Sequence, residues 1–153
     1  MKRTKGRLAL CSVYLIAVLA FIWSNSLLPG QQSGEVSGFV GDLLKKLLPF
    51  LRLDGDRGMH LLRKAAHFTE FTALGMGFAW LFGMLSQRRV FALTLPLLCG
   101  TCAAAIDETI QIFSPDRGTS IKDVGLDTAG VITGIALVMI LHTLIARYKG
   151  RNR

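Results

Sequence analysis

Four apolar runs decide most of what this chain can become. They cover residues 8–28, 64–85, 90–113 and 124–146, and each is close to the ~20 residues that a helix needs to cross the hydrocarbon core of a bilayer. Lipid offers no water to a free backbone N–H or C=O, so runs of this length are read as helices that satisfy their own backbone. The expectation is an all-α polytopic membrane protein with four transmembrane helices. It forms one unit over residues 1–153, without an internal repeat or low-complexity tract.

Charge placement agrees with that reading. A net charge of +8 invites a nucleic-acid partner, but the basic residues sit at the ends of the apolar runs. Lys2, Arg3, Lys5 and Arg7 precede the first run, and Arg147, Lys149, Arg151 and Arg153 follow the last. This is the footprint of the positive-inside rule. No basic stripe interleaved with aromatics is present, so no nucleic-acid partner is expected. With the N-terminus inside, the Arg88–Arg89 turn and the basic tail are inside as well, and the loop acids Glu35, Asp42, Asp54, Asp56, Asp116 and Asp123 fall outside. Both termini are therefore expected on the cytoplasmic side. The basic start also suits a signal peptide. A signal's apolar core is shorter and ends at a small-residue cleavage site, which favours an uncleaved first helix.

Between the first two spans, Leu28-Pro29-Gly30 ends the helix and a polar linker follows. Val36, Phe39, Val40, Leu43, Leu44, Leu47, Leu48 and Leu51 then recur at i, i+3, i+4 spacing, with Asp42, Lys45 and Lys46 opposite. An amphipathic helix over residues 36–52 is expected, lying in the interface plane or capping the bundle. Residues 53–58 read as a loop. Cys11, Cys99 and Cys102 all fall within apolar runs. The CxxC spacing of the last two lacks a second ligand pair or a thioredoxin-like setting, so packed small residues are expected, with no disulfide or zinc site. Trp23 and Tyr148 fit interfacial anchors, and the deeper Trp80 is expected to pack.

Against this apolar background the ionisable residues stand out, because charge within a span is costly and is a functional-site hypothesis by default. Arg63, His67, Glu70 and Leu74 share one helical face at the start of the second span. Asp107, Glu108 and Gln111 lie together near the end of the third, Arg117 in the loop after it, and Asp123 and Asp127 one turn apart at the start of the fourth. With a rise of 1.5 Å per residue, His67 and Glu70 would lie about 5 and 9 Å below Lys64, Asp107 about 9 Å below Phe113, and Asp127 about 6 Å below Asp123. Three helices thus bring polar groups to one depth in the outer leaflet. Gly130 and Gly134 form a small-xxx-small pattern that lets a neighbour approach closely, with Cys102 to Ala105 as the expected facing surface. Ion pairs that merely set helix register are the competing explanation, and they would account for one pair better than for a whole layer. Asp123 can also serve as the cap of the fourth helix, with Ser120 as its rival.

The motif Lys64-x-x-His67-Phe68-x-Glu70-Phe71-x-x-Leu74-Gly75 resembles the VanZ-like family, as do Asp107-Glu108-x-x-Gln111-x-Phe113-x-Pro115-x-Arg117 and Ser120-x-x-Asp123-Val124 through Asp127-x-x-Gly130-x-x-x-Gly134. The Trp23-Ser24-Asn25-Ser26 end of the first run is similar to the family's polar Ser-containing end. Phe71 stands where the family often has Tyr, and Asp127 where Asn is common. The resemblance implies a small bacterial inner-membrane protein of the cell envelope. It also implies a link to low-level teicoplanin resistance, with which the family's named member is associated.

Three functions fit these residues. The first is binding or handling of an anionic envelope lipid or lipid-linked cell-wall precursor. Arg63, Lys64 and Arg117 would hold phosphate, and His67, Glu70, Asp107, Glu108, Gln111, Asp123 and Asp127 would orient the cations and the headgroup. The second is a metal-assisted hydrolase or transferase on such a lipid, with His67, Glu70, Asp107, Glu108 and Asp127 as ligand candidates; His67, Glu70, Asp107 and Glu108 are then the catalytic candidates. Because no HExxH-like motif is present, no resident metal or cofactor is expected from the spacing itself. The third is an ion-coupled transporter using Glu70 and Asp107 as a relay, which would need the chain to form an oligomer.

Overall fold

The structure, a computed structural model, describes residues 2–27, 55–86, 88–115 and 120–151. The described residues are all-helical, with no strand among them. Four helices follow in order: α1 (Lys2–Leu27), α2 (Gly55–Leu85), α3 (Arg89–Gln111) and α4 (Ile121–Arg151). All four are long and apolar enough to cross a membrane, so the chain is a multi-pass membrane protein. The expected amphipathic helix over 36–52 lies outside the described residues.

Each expected span is recovered, with shifts at its ends. The segment read as a loop before the second span is helical from Gly55. Gly55 and Gly58 flank an Asp-Arg pair there, and their turn chemistry is overridden by continuity with the strongly helical run that follows. The third span ends at Gln111 rather than Phe113, because residues 112–114 tighten into turns whose N–H groups reach the carbonyls of Thr109, Ile110 and Gln111. Pro96 sits buried inside α3.

Helix α2 is the centre of the bundle. It packs on all three other helices, most extensively on α4. The core is made of Cys11, Leu15 and Ile22 from α1, Phe71, Leu74 and Ala79 from α2, Ala103 and Ala104 from α3, and Val131 and Ile135 from α4. Outside this thin core the helices display large apolar side chains, among them Leu98, Ile132 and Ile140. That surface would be an aggregation liability in water and is what lipid contact requires. Trp80, expected to pack, is 60% exposed on this outer face. Hydroxyls are satisfied locally: Thr72 Oγ1 donates to the Phe68 carbonyl and Thr133 Oγ1 to that of Ala129, the back-bonding that lets Thr sit within a helix in lipid.

Glycine sets the α2–α4 seam. A Cβ on Gly130 would come within 2.6 Å of the Phe68 carbonyl oxygen, and one on Gly134 within 2.7 Å of the Met76 nitrogen. Gly75 faces the Val131 backbone in return. The small-xxx-small pattern therefore packs on α2 and not on the Cys102–Ala105 surface of α3, where Cys102 and Ala105 are exposed. One step of four residues on α4 matches one of four on α2, so the two helices run parallel in fixed register. Extending that register back one turn sets Asp127 beside His67, and back another sets Asp123 beside Lys64. Helix α1 joins through Tyr14 Oη, which donates to the Ala73 carbonyl at 3.0 Å, and Cys11 Sγ, at 3.5 Å from the Gly77 carbonyl. All three cysteines are free.

Candidate functional site

The polar residues collect at one end of the bundle, where α1 and α3 finish and α2 and α4 begin. The α2–α4 register delivers its first contact directly. Lys64 Nζ lies 2.7 Å from Asp123 Oδ1, with both side chains about a third exposed. A pair this wet contributes roughly 0.2–1 kcal/mol, so its role is to hold the rim in place more than to stabilise the bundle. With Asp123 engaged by Lys64, the capping of α4 falls to Ser120. Its hydroxyl accepts the Lys122 N–H at 3.2 Å, as an N-cap does.

One turn deeper the surroundings become dry. Asp107 is fully buried, Asp127 is 2% exposed, and Glu108 and Gln111 are also buried. Gln111 Nε2 donates to Asp107 Oδ2 at 2.8 Å, the one-turn spacing read from the sequence. His67 Nδ1 lies 3.8 Å from the same oxygen and 3.9 Å from Glu70 Oε2. These two separations are ion-pair distances and too long for hydrogen bonds. Among the described residues, Asp107 Oδ1, Asp127 Oδ1 and Glu108 Oε2 are buried without a hydrogen-bond partner. Such atoms are rare in folded proteins and call for a reason.

Ligand atoms of His67, Asp107 and Asp127, one from each, all lie within 4.8 Å of one another. The three residues come from three different helices. Beside them is a small cavity, with about 20 Å³ of room for solvent, lined by Arg63, Lys64, His67, Gln111, Asp123, Leu126 and Asp127. That room suits one water-sized body.

The candidate residues therefore divide by position. Arg63, Lys64 and Asp123 form the rim. His67, Glu70, Asp107, Gln111 and Asp127 form the interior. Glu108 turns to the α3–α4 connection, where its Oε1 accepts the backbone N–H of Ser120. Arg117 lies outside the described residues. The interior also recruits α1, which the sequence reading left out of the site. Asn25 Nδ2 donates to Glu70 Oε1 at 3.2 Å. Ser114 Oγ donates to the Ser26 carbonyl at 2.6 Å, satisfying one of the carbonyls that a helix end leaves open. Asn25 and Ser26 were visible only as a polar end on an apolar run. Nothing in their spacing names α2 and α3 as partners.

The sequence profile of the VanZ/LLP1 family matches residues 11–142, a stretch that includes every residue of this polar layer. No curated protein and no solved structure matches the chain. A match across most of the length, over four spanning helices that hold the motifs quoted above, settles the family: the chain belongs to VanZ/LLP1.

Proposed function

We propose that this protein binds an anionic lipid of the cell envelope, or a lipid-linked cell-wall precursor, by its headgroup at the polar end of the bundle. The observation that carries the reading is the composition of the rim. Arg63 and Lys64 both line the cavity at the polar end of the bundle. Lys64 is engaged by Asp123, whereas Arg63 makes no side-chain hydrogen bond or ion pair with a described residue. A guanidinium in that position presents paired donors that match phosphate geometry. The cavity is far smaller than a headgroup, so the phosphate rests at the mouth while Gln111 and His67 supply polar contacts below it. Arg117, in the sequence between α3 and α4, is a further candidate phosphate ligand on this reading.

On this reading the polar end faces outward, both termini lie on the cytoplasmic side of a bacterial inner membrane, and the cellular consequence is altered susceptibility to teicoplanin. Metal-assisted hydrolysis or transfer on the same lipid is a second reading, favoured by the clustering of His67, Asp107 and Asp127.

The test is lipid retention. Protein extracted with its surrounding bilayer into polymer-bounded discs should carry an enriched anionic lipid, identified by mass spectrometry. Hydrogen bonds to charged groups contribute about 1.5–3 kcal/mol each, so Arg63→Ala with Arg117→Ala should reduce the enrichment about ten-fold or more. Unchanged enrichment together with an unchanged teicoplanin phenotype in the double variant would sink the reading.

A further inference from the structure

We propose that His67, Asp107 and Asp127 bind a divalent transition-metal ion of the Zn²⁺ or Mn²⁺ class inside the bundle, one ligand from each of α2, α3 and α4. The sequence left metal binding as an alternative with five possible ligands, and the geometry narrows it to three. Ligand atoms of these residues already lie within 4.8 Å of one another. Around an ion with bonds of about 2.0–2.2 Å, opposite or neighbouring ligands stand somewhat closer than that, a difference that small side-chain rotations supply.

Two further observations point to an ion. The first is the pair of buried carboxylate oxygens. Asp107 is 0% and Asp127 2% exposed, and Oδ1 of each meets no hydrogen-bond partner among the described residues. Dry carboxylates with an oxygen left bare are strongly unfavourable unless a cation answers them. No described Lys or Arg does so, because Lys64 is held by Asp123 at the rim. The second is room. The cavity beside His67, Gln111 and Asp127 has about 20 Å³, enough for one small body and too little for a lysine or arginine head.

The surroundings of the three residues match the way proteins orient metal ligands. Gln111 fixes Asp107 through its Oδ2 at 2.8 Å. Glu70 lies 3.9 Å from the His67 ring nitrogen and is itself held by Asn25. An outer hydrogen bond such as that of Gln111 to Asp107 sets ligand direction and basicity. One imidazole with two carboxylates selects borderline ions over Mg²⁺, which prefers oxygen and water, and over the thiolate-seeking Cu⁺. Three protein ligands facing a solvent-sized cavity leave a coordination position open, the arrangement of reactive rather than purely structural sites.

Metal binding does not rest on the lipid reading, and its test involves no lipid. Full-length protein in detergent is stripped with EDTA and dialysed against ZnCl₂, MnCl₂ or MgCl₂ separately. Bound metal per chain is then measured by mass spectrometry after gel filtration, alongside the thermal midpoint. About one Zn²⁺ or Mn²⁺ per chain is expected, with a raised midpoint and no comparable retention of Mg²⁺. Asp107→Asn with Asp127→Asn should weaken binding at least about ten-fold, while Gly83→Ala, far along α2 with nothing near its Cβ position, keeps the stoichiometry. Metal-free, the Asn double variant should unfold no earlier than wild type, because it carries fewer buried charges. Failure to retain either ion, or equal retention by the double variant, overturns the proposal. Should the double variant not fold, Co²⁺ loaded into the wild type decides. Visible absorption bands without a thiolate charge-transfer band fit His and carboxylate ligands, and a thiolate band assigns the ion to a cysteine and overturns the proposal.

Discussion

Gln111 illustrates how one side chain holds a buried charge in place. Its amide donates to Asp107 Oδ2 at 2.8 Å within a fully buried carboxylate, so removing the donor leaves that oxygen to His67 alone at 3.8 Å. Loss of one partner from a buried acceptor costs about 1–3 kcal/mol, more when the acceptor is charged. Gln111→Leu is therefore expected to lower the unfolding free energy in detergent, in EDTA, by at least that amount. Gln111→Glu, which sets a second carboxylate against Asp107, should lower it further. Adding Asp107→Asn to Gln111→Leu should recover much of the loss, since no buried charge then lacks its donor. Denaturant unfolding of the three variants checks the order, and equal stability of Gln111→Leu and wild type would remove the bond from the account. Glu108 is the contrasting case. It stands next to Asp107 in sequence, yet it bonds the backbone N–H of Ser120. Adjacent residues on a helix point about 100° apart, so the two carboxylates serve different neighbours.

At the level of elements, the α2–α4 seam sets the site's geometry. Gly130 and Gly134 let α4 lie against the backbone of α2 from Phe68 to Met76, and that register carries Asp127 to His67. A Cβ on Gly134 meets the Thr72 carbonyl oxygen and the Met76 nitrogen, backbone atoms that cannot rotate away. Gly134→Ala should destabilise the bundle by about 1–3 kcal/mol, the usual range for overpacking, and Gly134→Leu by more. Gly83 provides the control, because nothing lies within 4 Å of a Cβ there. Gly83→Ala should be neutral or slightly stabilising through helix propensity. Thermal midpoints in one detergent check both, and equal behaviour of the two alanine variants would refute the seam. The spans themselves were legible in sequence because a membrane helix is written locally, in twenty-odd consecutive apolar residues. The meeting of His67, Asp107 and Asp127 at one level of the bundle was also legible, because helical rise aligns them once the span ends are known. Partner choice was not legible. Gly130 and Gly134 announce a close approach without saying whether α2 or α3 makes it, and Asn25 does not announce Glu70. Trp80 was misread as packed because depth along a span carries no information about which side of the helix faces lipid.

At the scale of the molecule, the charges separate along the bundle axis. The acids of α3 and the start of α4 meet the mixed-charge start of α2 at one end. The other end carries the basic start of α1, the Arg88–Arg89 turn and the Arg147, Lys149 and Arg151 turns of α4. Helix α4 exaggerates the polarity. Its 31 residues extend to about 46 Å by helical rise, well past a core of about 30 Å, and residues 141–151 are exposed on every side. Leu141, Leu144 and Ile145 are exposed apolar residues there, and the basic turns with Arg147, Lys149 and Arg151 follow them. The positive-inside rule predicts that this basic end is cytoplasmic and that the carboxylate layer faces outward. Single cysteines in a background lacking Cys11, Cys99 and Cys102 test this orientation. Ile121→Cys, at a position 88% exposed beside the polar layer, should react with a membrane-impermeant maleimide on intact spheroplasts. Arg88→Cys, exposed at the opposite end, should react only after the membrane is permeabilised. The reverse pattern would place the polar layer in the cytoplasmic leaflet. There the cavity mouth would meet soluble anions and inner-leaflet lipids, and a precursor displayed on the outer face would be out of its reach. Lipid retention measured on the same preparations would then decide whether Arg63 serves a headgroup on that side.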